Sequence, residues 1–304
     1  MPTPGNPKLQ GSKYGIEAVA YGTRAASLIG LQTRSSTLKK IRRNAKSGEY
    51  MGLQTPILDT MPAYVEGELV AGFSNSTVVL DALLGAMCAE STAVFTIGDG
   101  SMPDNTSLTV ENNYGGVAAS DTYATEFLGL IPVKFRIDMP ANASAFMTIG
   151  FAGKDEAEVT SPSDPSPFTQ SGLFMPSEYG ALSFDSVECT FKGGFVEATI
   201  PHGFIGLDDI GADTVRRACW AGNWSVNWSF NVELDDATGS DTIAHLSNYI
   251  GDGAGEKGDV GTIALGSWLS LGTPWMTGDH PSQQIGPVDW VISGEAKELE
   301  ITDV

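Results

Sequence analysis

The residues that most often carry enzyme chemistry are few in this chain and far apart. Its three histidines and three cysteines are His202, His245, His280, Cys88, Cys189 and Cys219. None of them has the short spacing of zinc ligands. The Gly-x-Ser-x-Gly, His-Glu-x-x-His and phosphate-loop motifs are missing from the sequence. We therefore expect isolated structural histidines and free thiols in a reducing compartment, with no catalytic residue, no metal ligand and no cofactor.

Paired carboxylates are the other candidates for chemistry, because glycoside hydrolysis needs two acidic side chains that converge in a cleft. The pairs Asp208–Asp209 and Asp235–Asp236 are of a kind that is typical of turns and helix caps. The stretch "GDGAGEKGD" lacks the Lys-Ser/Thr pair of a phosphate loop. We predict that the protein is not an enzyme. A secreted carbohydrate-active β-protein is an alternative, which the absence of an apolar signal segment at the start disfavours.

The charge of the chain is strongly negative and uneven. The formal net charge is −20; residues up to Ala152 hold 11 basic and 13 acidic side chains, and the remainder holds 6 and 24. The first part therefore carries −2 and the second −18. Such an acidic surface repels nucleic acid and anionic membranes at long range. Such a surface would suit a protein past which DNA moves without binding. The alternative explanation is that the negative charge serves solubility alone.

A basic run interrupts the first part of the chain. It consists of Lys39, Lys40, Arg42, Arg43 and Lys46. A nucleic-acid site would combine such a run with stacking aromatic residues, and no aromatic residue interrupts this one. A solvated arm is a second interpretation. We predict a third, a contact between subunits, because a basic segment of one copy can meet the acidic surface of the next.

The clearest structural pattern is the strand predicted over residues 224–234. Its apolar side chains alternate with polar ones, and they are Trp224, Val226, Trp228, Phe230, Val232 and Leu234. Successive side chains of a strand point to opposite faces, so period two predicts one buried face and one wet face. We predict that the apolar set lies in the core. What the wet face contacts is the functional question.

Composition extends this prediction to the whole chain. With 36 glycines, 16 prolines and 18% charged residues, turns are frequent and a mainly β fold is expected. No apolar run is long enough to span a membrane. The predicted parts are an N-terminal arm (1–13), a first β domain (14–160) with a long surface excursion (91–125), a linker (161–172) and a second β domain (173–304).

Each predicted domain has the same order of parts, which is a strand, a capped short helix and then glycine-rich sequence leading to further strands. The helices are predicted at about 77–87 and at 240–251. In the second domain a hairpin with its turn at Lys192–Gly194 precedes the long strand. We infer a tandem duplication, with chance recurrence of a strand–helix unit as the alternative.

Short motifs in the first third of the chain resemble those of a known family. "YGIEAVAYGT" is followed by the basic run, by "AYVEGELVAGF" and by "LLGAMC". In this order they resemble the major tail tube proteins of long-tailed bacteriophages, in which a Gly-x-Glu stretch opens the chain and a helix ends near Leu-Leu-Gly. The tryptophan-bearing strand and the closing "VDWVISGEAKELEI" also fit this family.

The resemblance implies β-sandwich or barrel units, each flanked by a short helix, whose sheets join between subunits around a channel. It implies that the protein binds copies of itself in helically stacked rings. Its other partners would be a tape-measure protein and a tail terminator. DNA would pass through the lumen without specific binding, no membrane would be involved, and the protein would be assembled in the host bacterial cytoplasm into the virion.

The length of the chain adds to this expectation, since a single tube domain needs only about half of it. A ring of three chains with pseudo-sixfold symmetry is therefore favoured, and a ring of six is possible. The runner-up is a β-sandwich capsid decoration or host-surface adhesion protein, which would form a discrete closed oligomer.

Overall fold

In a computed structural model of the chain, strands dominate and the mainly β prediction is confirmed. The structure describes residues 11–17, 20–42, 44–46, 58–74, 83–84, 89–91, 94–98, 107–114, 124–159, 173–209, 212–234, 261–276 and 288–302. Within them, no helix is long and apolar enough to cross a membrane. A single turn of 3-10 helix occupies Pro176–Glu178.

The strands are numbered in chain order. Those of the first part of the chain are β1 Gly11–Ile16, β2 Ile29–Leu31, β3 Thr33–Ser36, β4 Lys39–Ile41, β5 Asn44–Lys46, β6 Leu58–Thr60, β7 Tyr64–Gly72, β8 Ala89–Ser91, β9 Val94–Ile97, β10 Leu108–Asn113, β11 Ala124–Pro140, β12 Phe146–Gly153 and β13 Asp155–Val159. Those of the second part are β14 Leu182–Phe184, β15 Val187–Thr199, β16 His202–Ile205, β17 Arg217–Trp220, β18 Ser225–Leu234, β19 Thr262–Leu265, β20 Leu269–Gly272, β21 Trp275–Met276, β22 Val288–Ala296 and β23 Glu298–Thr302.

A long antiparallel sheet forms the centre of the molecule. Its order is β3 and β4 end to end, then β7, β12, β11, β15, β18, β22 and β21. The two middle strands, β11 and β15, pair from Lys134↔Thr199 to Pro140↔Gly193. This pairing joins the strands of the first part of the chain to those of the second in one continuous sheet.

Two outer sheets lie on one side of the long sheet. The first has the order β2, β1, β10, β11 and β13, and the second has the order β15, β14, β19, β20, β23, β9 and β8. The long strands β11 and β15 each begin in an outer sheet and end in the long sheet. One apolar core contains side chains from all three sheets.

The strand predicted over 224–234 is present as β18, with the predicted alternation. Val226, Trp228, Phe230 and Val232 are buried in the core, and Trp224 packs against it from just before the strand. The intervening polar side chains from Ser225 to Glu233 are exposed or half-buried. The strand prediction is thus confirmed; the side chain of Leu234 lies outside the described residues.

The same order of strands occurs twice along the chain. In the first series a strand of the outer sheet (β1) comes first, and β2 to β4 then lead the chain from the outer sheet into the long sheet. A separate hairpin (β5–β6) and a further strand of the long sheet (β7) follow. The second series repeats this order with β14, β15, the hairpin β16–β17 and β18. Of the remaining strands, β10 corresponds to β19, β11 to β20 and β21, β12 to β22, and β13 to β23, whereas β8 and β9 have no counterpart among the described strands.

The N-terminal arm predicted over 1–13 is wrong for its last three residues. Gly11, Ser12 and Lys13 belong to β1, which pairs with β10 on one side and β2 on the other. Ser12 is buried, and its polar groups are satisfied there: its backbone N–H donates to Thr33 Oγ1 and its hydroxyl donates to Asn112 Oδ1. The rest of the predicted arm lies outside the described residues.

The surface excursion predicted over 91–125 is also wrong where the structure describes it. All six residues of β10 are buried, including Glu111, Asn112 and Asn113. The strand β9 pairs with β23 near the end of the chain. Polar composition suggested a loop, but Glu111, Asn112 and the Nδ2 of Asn113 are hydrogen-bonded inside the molecule.

The hairpin turn predicted at Lys192–Gly194 lies seven residues earlier. Asp185 and Ser186 both have positive φ, 47° and 69°, which is the backbone of a two-residue hairpin turn. Gly193 and Gly194 lie within β15, directly after a bulge at Lys192. A Cβ on Gly194 would come within 2.3 Å of the Ser229 carbonyl oxygen, so the glycine permits close contact with β18.

The predicted helices and linker fall mostly outside the described residues. Leu83 and Leu84 are helical and buried, and the rest of the helix predicted at 77–87 is not among the described residues. The helix predicted at 240–251 and the linker at 161–172 are outside them as well. The division into two domains stays a prediction.

Candidate functional site

The long sheet has one face that no outer sheet covers, and we call it the open face. It comprises the side chains that alternate with the core positions, such as Glu68 of β7, Arg136 of β11, Glu197 of β15 and Asn227 of β18. Cross-strand partners place them on the same side, since Arg136 is opposite Glu197 and Glu197 is opposite Asn227. The polar face of the strand predicted over 224–234 therefore belongs to a broad polar surface.

A network of ion pairs occupies the middle of the open face. Lys134 Nζ lies 3.0 Å from Glu68 Oε1 and 3.4 Å from Glu197 Oε2. Arg136 Nη2 lies 2.7 Å from Asp138 Oδ1, and its Nη1 is 3.5 Å from Glu197 Oε2. We call these five residues the charge network. It spans the strands on both sides of the junction between β11 and β15.

The two cations of the charge network are held in their charged form. Burial lowers the pKa of Lys134, but its hydrogen bond to Glu68 and the charges of Glu197 and Glu68 outweigh this, so the pKa is raised. The hydrogen bond to Asp138 raises the pKa of Arg136. The Arg136 guanidinium also lies over the Phe195 ring, 3.8 Å from its centroid. Three carboxylates surround two cations, and this leaves a net negative charge.

Sequence reasoning missed the charge network, although the signal was present. In "VKFRID" the charged residues Lys134, Arg136 and Asp138 alternate with apolar ones. This is the same period-two pattern that identified β18. The partners Glu68 and Glu197 could not be found in this way, because they come from strands 61 to 66 residues away.

The second part of the open face is mostly neutral. Asn227, Ser229 and Asn231 lie opposite Glu295, Ser293 and Val291 of β22. Val291 is 61% exposed, the highest value among the large apolar side chains that the structure describes. Glu233 forms an ion pair with Lys192. This part of the face thus carries mainly hydroxyl and amide side chains, and Lys192, its one described cation, is already paired.

The two edge strands of the long sheet run in opposite directions. Within the described residues, β21 pairs only with β22, and β3 and β4 pair only with β7. All neighbours are antiparallel, so the eight strand positions alternate in direction and the two edges run oppositely. If β3–β4 of a second copy were placed beside β21, the new pair would be antiparallel, as β15 is to β11.

In the single chain, acidic side chains contact the unpaired edge of β4. The backbone N–H of Lys40 donates to Glu156 Oε2 at 2.9 Å, and Lys40 Nζ is 2.6 Å from Asp155 Oδ1. Natural sheets often protect an edge with charged side chains in this way, because an unpaired edge invites uncontrolled association. A side chain can be displaced by an incoming strand.

The basic run is placed along this same edge. Lys39 is exposed on β4, Lys40 is held by Asp155 and Arg42 is exposed just beyond the strand. Arg43 lies outside the described residues, and for Lys46 only the backbone of β5 is described. The run thus lies beside an open sheet edge. A role in contacts between subunits stays a prediction.

A second charged cluster lies on the first outer sheet, on the side opposite the core residues Val110 and Phe127. Arg24 Nη2 lies 2.7 Å from Glu111 Oε2, and Arg24 Nε lies 3.0 Å from Glu126 Oε2. Both carboxylates are almost inaccessible to solvent. Asn113 Nδ2 donates to Glu111 as well. Glu111 and Glu126 both pair with Arg24, so the cluster joins β10 to β11 at the cost of burying charged groups.

This cost makes stability depend on pH at Glu126. Burial raises its pKa, the charge of Arg24 lowers it, and Glu111 and Glu17 raise it further, for a net increase. The folded protein therefore holds this proton more tightly than the unfolded chain does. Its stabilising contribution is present at low pH and is lost as the pH rises through the raised pKa.

We expect the free energy of unfolding of Glu126→Gln, relative to wild type, to increase between pH 4 and pH 7. Glutamine keeps the shape and stays neutral, so it avoids the cost of ionisation that the wild type pays as the pH rises. Urea unfolding at both pH values measures this. Glu188→Gln, at an exposed position of the second outer sheet, is the control and should show no such change. A parallel pH dependence of E126Q and wild type would contradict the prediction.

Glu17, the acidic residue of the Gly-x-Glu stretch, has a structural role. Its Oε2 accepts hydrogen bonds from the Gly22 N–H and the Ser107 hydroxyl, and its Oε1 accepts from the Thr109 hydroxyl and the Gly129 N–H. A buried carboxylate with four donors is well satisfied. It ties the N-terminal segment to β10 and β11.

The described residues contain little that could do chemistry. Among them, no three His, Cys, Asp or Glu side chains are grouped so that they could hold a metal ion. Cys189 and Cys219 are free thiols, and burial raises the pKa of Cys189 to about 11, which makes it a poor nucleophile. His202 contacts Glu66 at 3.1 Å on the surface of the sheet. The pair Asp208–Asp209 lies in a turn, where Asp209 meets Arg216.

Comparison with models of known protein families and with curated protein sequences found no match for this chain. The open face and the two sheet edges are therefore interpreted from their geometry and charge.

Proposed function

We propose that this protein is a structural virion protein that polymerises as stacked rings into the tail tube of a long-tailed bacteriophage. The observation that carries the proposal is the pairing of β11 with β15. This pairing joins two sets of four strands, which have the same order and directions, into one sheet. A chain with this property can continue its sheet into another copy.

The internal junction is a template for the junction between copies. In the long sheet, β11 and β21 are the last strands of their sets, and β3–β4 and β15 are the first. The edge of β21 can therefore receive β3–β4 of a second copy in the way that β11 receives β15. Because the two edges differ, the contact is head-to-tail, and repetition of it closes a ring or extends a filament.

Three copies would supply six four-strand sets, which is the number of tube units that the family resemblance implies around a lumen. The ring of three pseudo-sixfold chains is thus the favoured arrangement, and six chains are possible. The open face would then line the channel, because the outer sheets and the core occupy the opposite side of the long sheet.

The charge network suits a channel for DNA ejection. Phosphates bind free lysines and arginines strongly, and the release of counterions drives this binding. On the open face, Lys134 and Arg136 are already paired with carboxylates. DNA would have to displace these carboxylates in order to bind. The wall would let DNA pass without specific binding.

By the same resemblance, a tape-measure protein would fill the lumen before ejection and a tail terminator would cap the tube. Assembly would take place in the host bacterial cytoplasm and the product would be part of the virion.

The test is electron microscopy of the purified full-length protein, together with native mass spectrometry, over a range of concentrations. We expect hollow rings or tubes whose ring mass is three times the 32.0 kDa mass of the chain. A ring of six chains would overturn the pseudo-sixfold arrangement and keep the tube. Monomers at every concentration would overturn the function, and a closed oligomer that does not stack would favour the capsid decoration or adhesion protein.

A further inference from the structure

The hairpin β16–β17 connects two strands of the second half of the long sheet, which consists of β15, β18, β22 and β21. It lies, however, over the first half, which consists of β3–β4, β7, β12 and β11. Ala63, just before β7, donates its N–H to the Asp213 carbonyl and accepts from the Val215 N–H. The rings of Tyr64 and Phe204 lie 4.4 Å apart between centroids.

The hairpin also covers the middle of β11 and the end of β12. Trp220 Nε1 donates to the Pro132 carbonyl at 2.9 Å. Ile131, Ala152 and Ala218 form a small core of their own, against which Phe204 packs. The hairpin thereby covers one cross-strand row of the open face, in which Ile131, Ala152 and Glu66 are opposite one another; Ile131 and Ala152 are buried.

The corresponding row of the second half has no such cover in the described residues. Trp275 of β21 lies opposite Glu295 of β22, which lies opposite Asn227 of β18. These three residues correspond in position to Ile131 of β11, Ala152 of β12 and Glu66 of β7. Trp275 is 46% exposed and Glu295 is exposed, whereas Ile131 is 4% exposed and Ala152 is fully buried. A large aromatic side chain thus stands in solvent where its counterpart is covered.

The backbone position that the covering hairpin contacts also has a counterpart. Trp224 occupies the place before β18 that Ala63 occupies before β7, and Ala63 is the residue to whose backbone the covering hairpin segment bonds. The backbone at Trp224 is therefore the equivalent position for a further segment.

The chain contains a second hairpin in the equivalent place. Hairpin β5–β6 connects β4 to β7 as β16–β17 connects β15 to β18, and it pairs from Asn44↔Thr60 to Lys46↔Leu58. The strands that it connects, β4 and β7, lie at the other end of the long sheet, five to seven strand positions from β22 and β21. At about 4.8 Å per position this is on the order of 25–35 Å. A hairpin that reaches the row of Trp275 therefore comes from another copy.

The basic run carries the charge opposite to that of Glu295, the acidic residue of the receiving row. The basic run extends from β4 into β5, and Lys39 and Arg42 are exposed. The receiving row contains Glu295 and belongs to the part of the chain that carries −18 of the net charge of −20. Such complementarity favours one orientation of the contact and its rate of formation.

We propose that hairpin β5–β6 of one copy docks on the row formed by Trp275, Glu295 and Asn227 of the neighbouring copy, beside Trp224. This rests on the proposed function, because it requires copies joined head-to-tail. It adds a second contact to the pairing of the sheet edges, and it assigns the basic run to this contact.

Carbodiimide coupling of rings assembled from equal amounts of unlabelled and nitrogen-15-labelled protein tests the contact. This reagent joins an amine to a carboxylate only where the two touch. We expect crosslinks between a lysine of segment 39–46 and Glu295, in which the two peptides carry different labels. Same-label crosslinks alone, or none to Glu295 in rings that have formed, would overturn the docking.

The variant Trp275→Ala provides the second readout. We expect it to fold normally and to need at least about tenfold more protein for half of the chains to assemble, as is usual for a central interface tryptophan. Val291→Ala, at a more exposed position on the same face, is the matched control and should assemble like wild type. Equal assembly of W275A and V291A would refute the inference while leaving the tube intact. Failure of the wild type itself to form rings would refute the proposed function instead.

Discussion

Replacing Trp228 with alanine is expected to lower the free energy of unfolding by about 3–5 kcal/mol. Trp228 is 1% exposed and is among the largest fully buried side chains. Its ring stacks on Phe230 with centroids 5.5 Å apart, and its Nε1 donates to the Glu295 carbonyl at 3.2 Å. Alanine removes these contacts and leaves a cavity between the long sheet and the second outer sheet. Urea unfolding followed by circular dichroism measures the loss.

Ser229→Ala is the matched control, because Ser229 is the next residue of β18 and points to the open face. Its effect should stay within about 0.5 kcal/mol, as is usual for surface positions. If the two variants lost similar stability, the assignment of the faces of β18 would be wrong, and with it the position of the open face.

The second large effect concerns the affinity of assembled tubes for DNA. The double variant Glu68→Gln and Glu197→Gln removes both carboxylates within 3.4 Å of Lys134 and takes one partner from Arg136. The amides that replace them carry no charge, so Lys134 becomes available to phosphates, while Arg136 keeps its contacts with Asp138. We expect tubes of this variant to retain at least about tenfold more of a short DNA duplex at low salt, because every ring repeats the freed lysine.

Co-sedimentation of the duplex with the tubes over a salt series measures this. The retained DNA should fall steeply with salt, since phosphate contacts release counterions. The control is Glu158→Gln with Glu188→Gln, which changes the net charge equally at exposed positions of the outer sheets. Equal retention by the two double variants would show that total charge matters and that the charge network does not.

The burial pattern of β18 was predictable because alternation is a local property. A strand sends successive side chains to opposite faces, so the apolar residues from Trp228 to Val232 identify their own core face without knowledge of their neighbours. The same reasoning applies to β11, whose "VKFRID" alternates in the same way. The mainly β class follows from several such segments.

Local sequence could not distinguish the turn from the bulge in the segment 182–199. Two adjacent glycines suit either, and Asp185–Ser186 is an ordinary turn pair. The strand continues through Gly193 because it is held between β11 and β18 on both sides. That decision belongs to partners distant in sequence.

The burial of β10 has a similar cause. Glu111 and Asn112 look like loop residues in the sequence, yet their partners Arg24, Ser12 and Ser36 lie 76 to 100 residues away and satisfy them inside the molecule. Burial of a polar side chain costs little once it is hydrogen-bonded. Composition alone therefore misplaces such a strand on the surface.

The sequence by itself determined the mainly β class, the two faces of β18 and the uneven charge, because each depends on neighbouring residues or on simple composition. Only the tertiary structure decided that β11 pairs with β15, that the charge network forms across this junction, and that the two outer edges of the sheet run in opposite directions. Backbone hydrogen bonds between strands are the same for almost any residues, so which strands become neighbours is settled by how the whole chain packs.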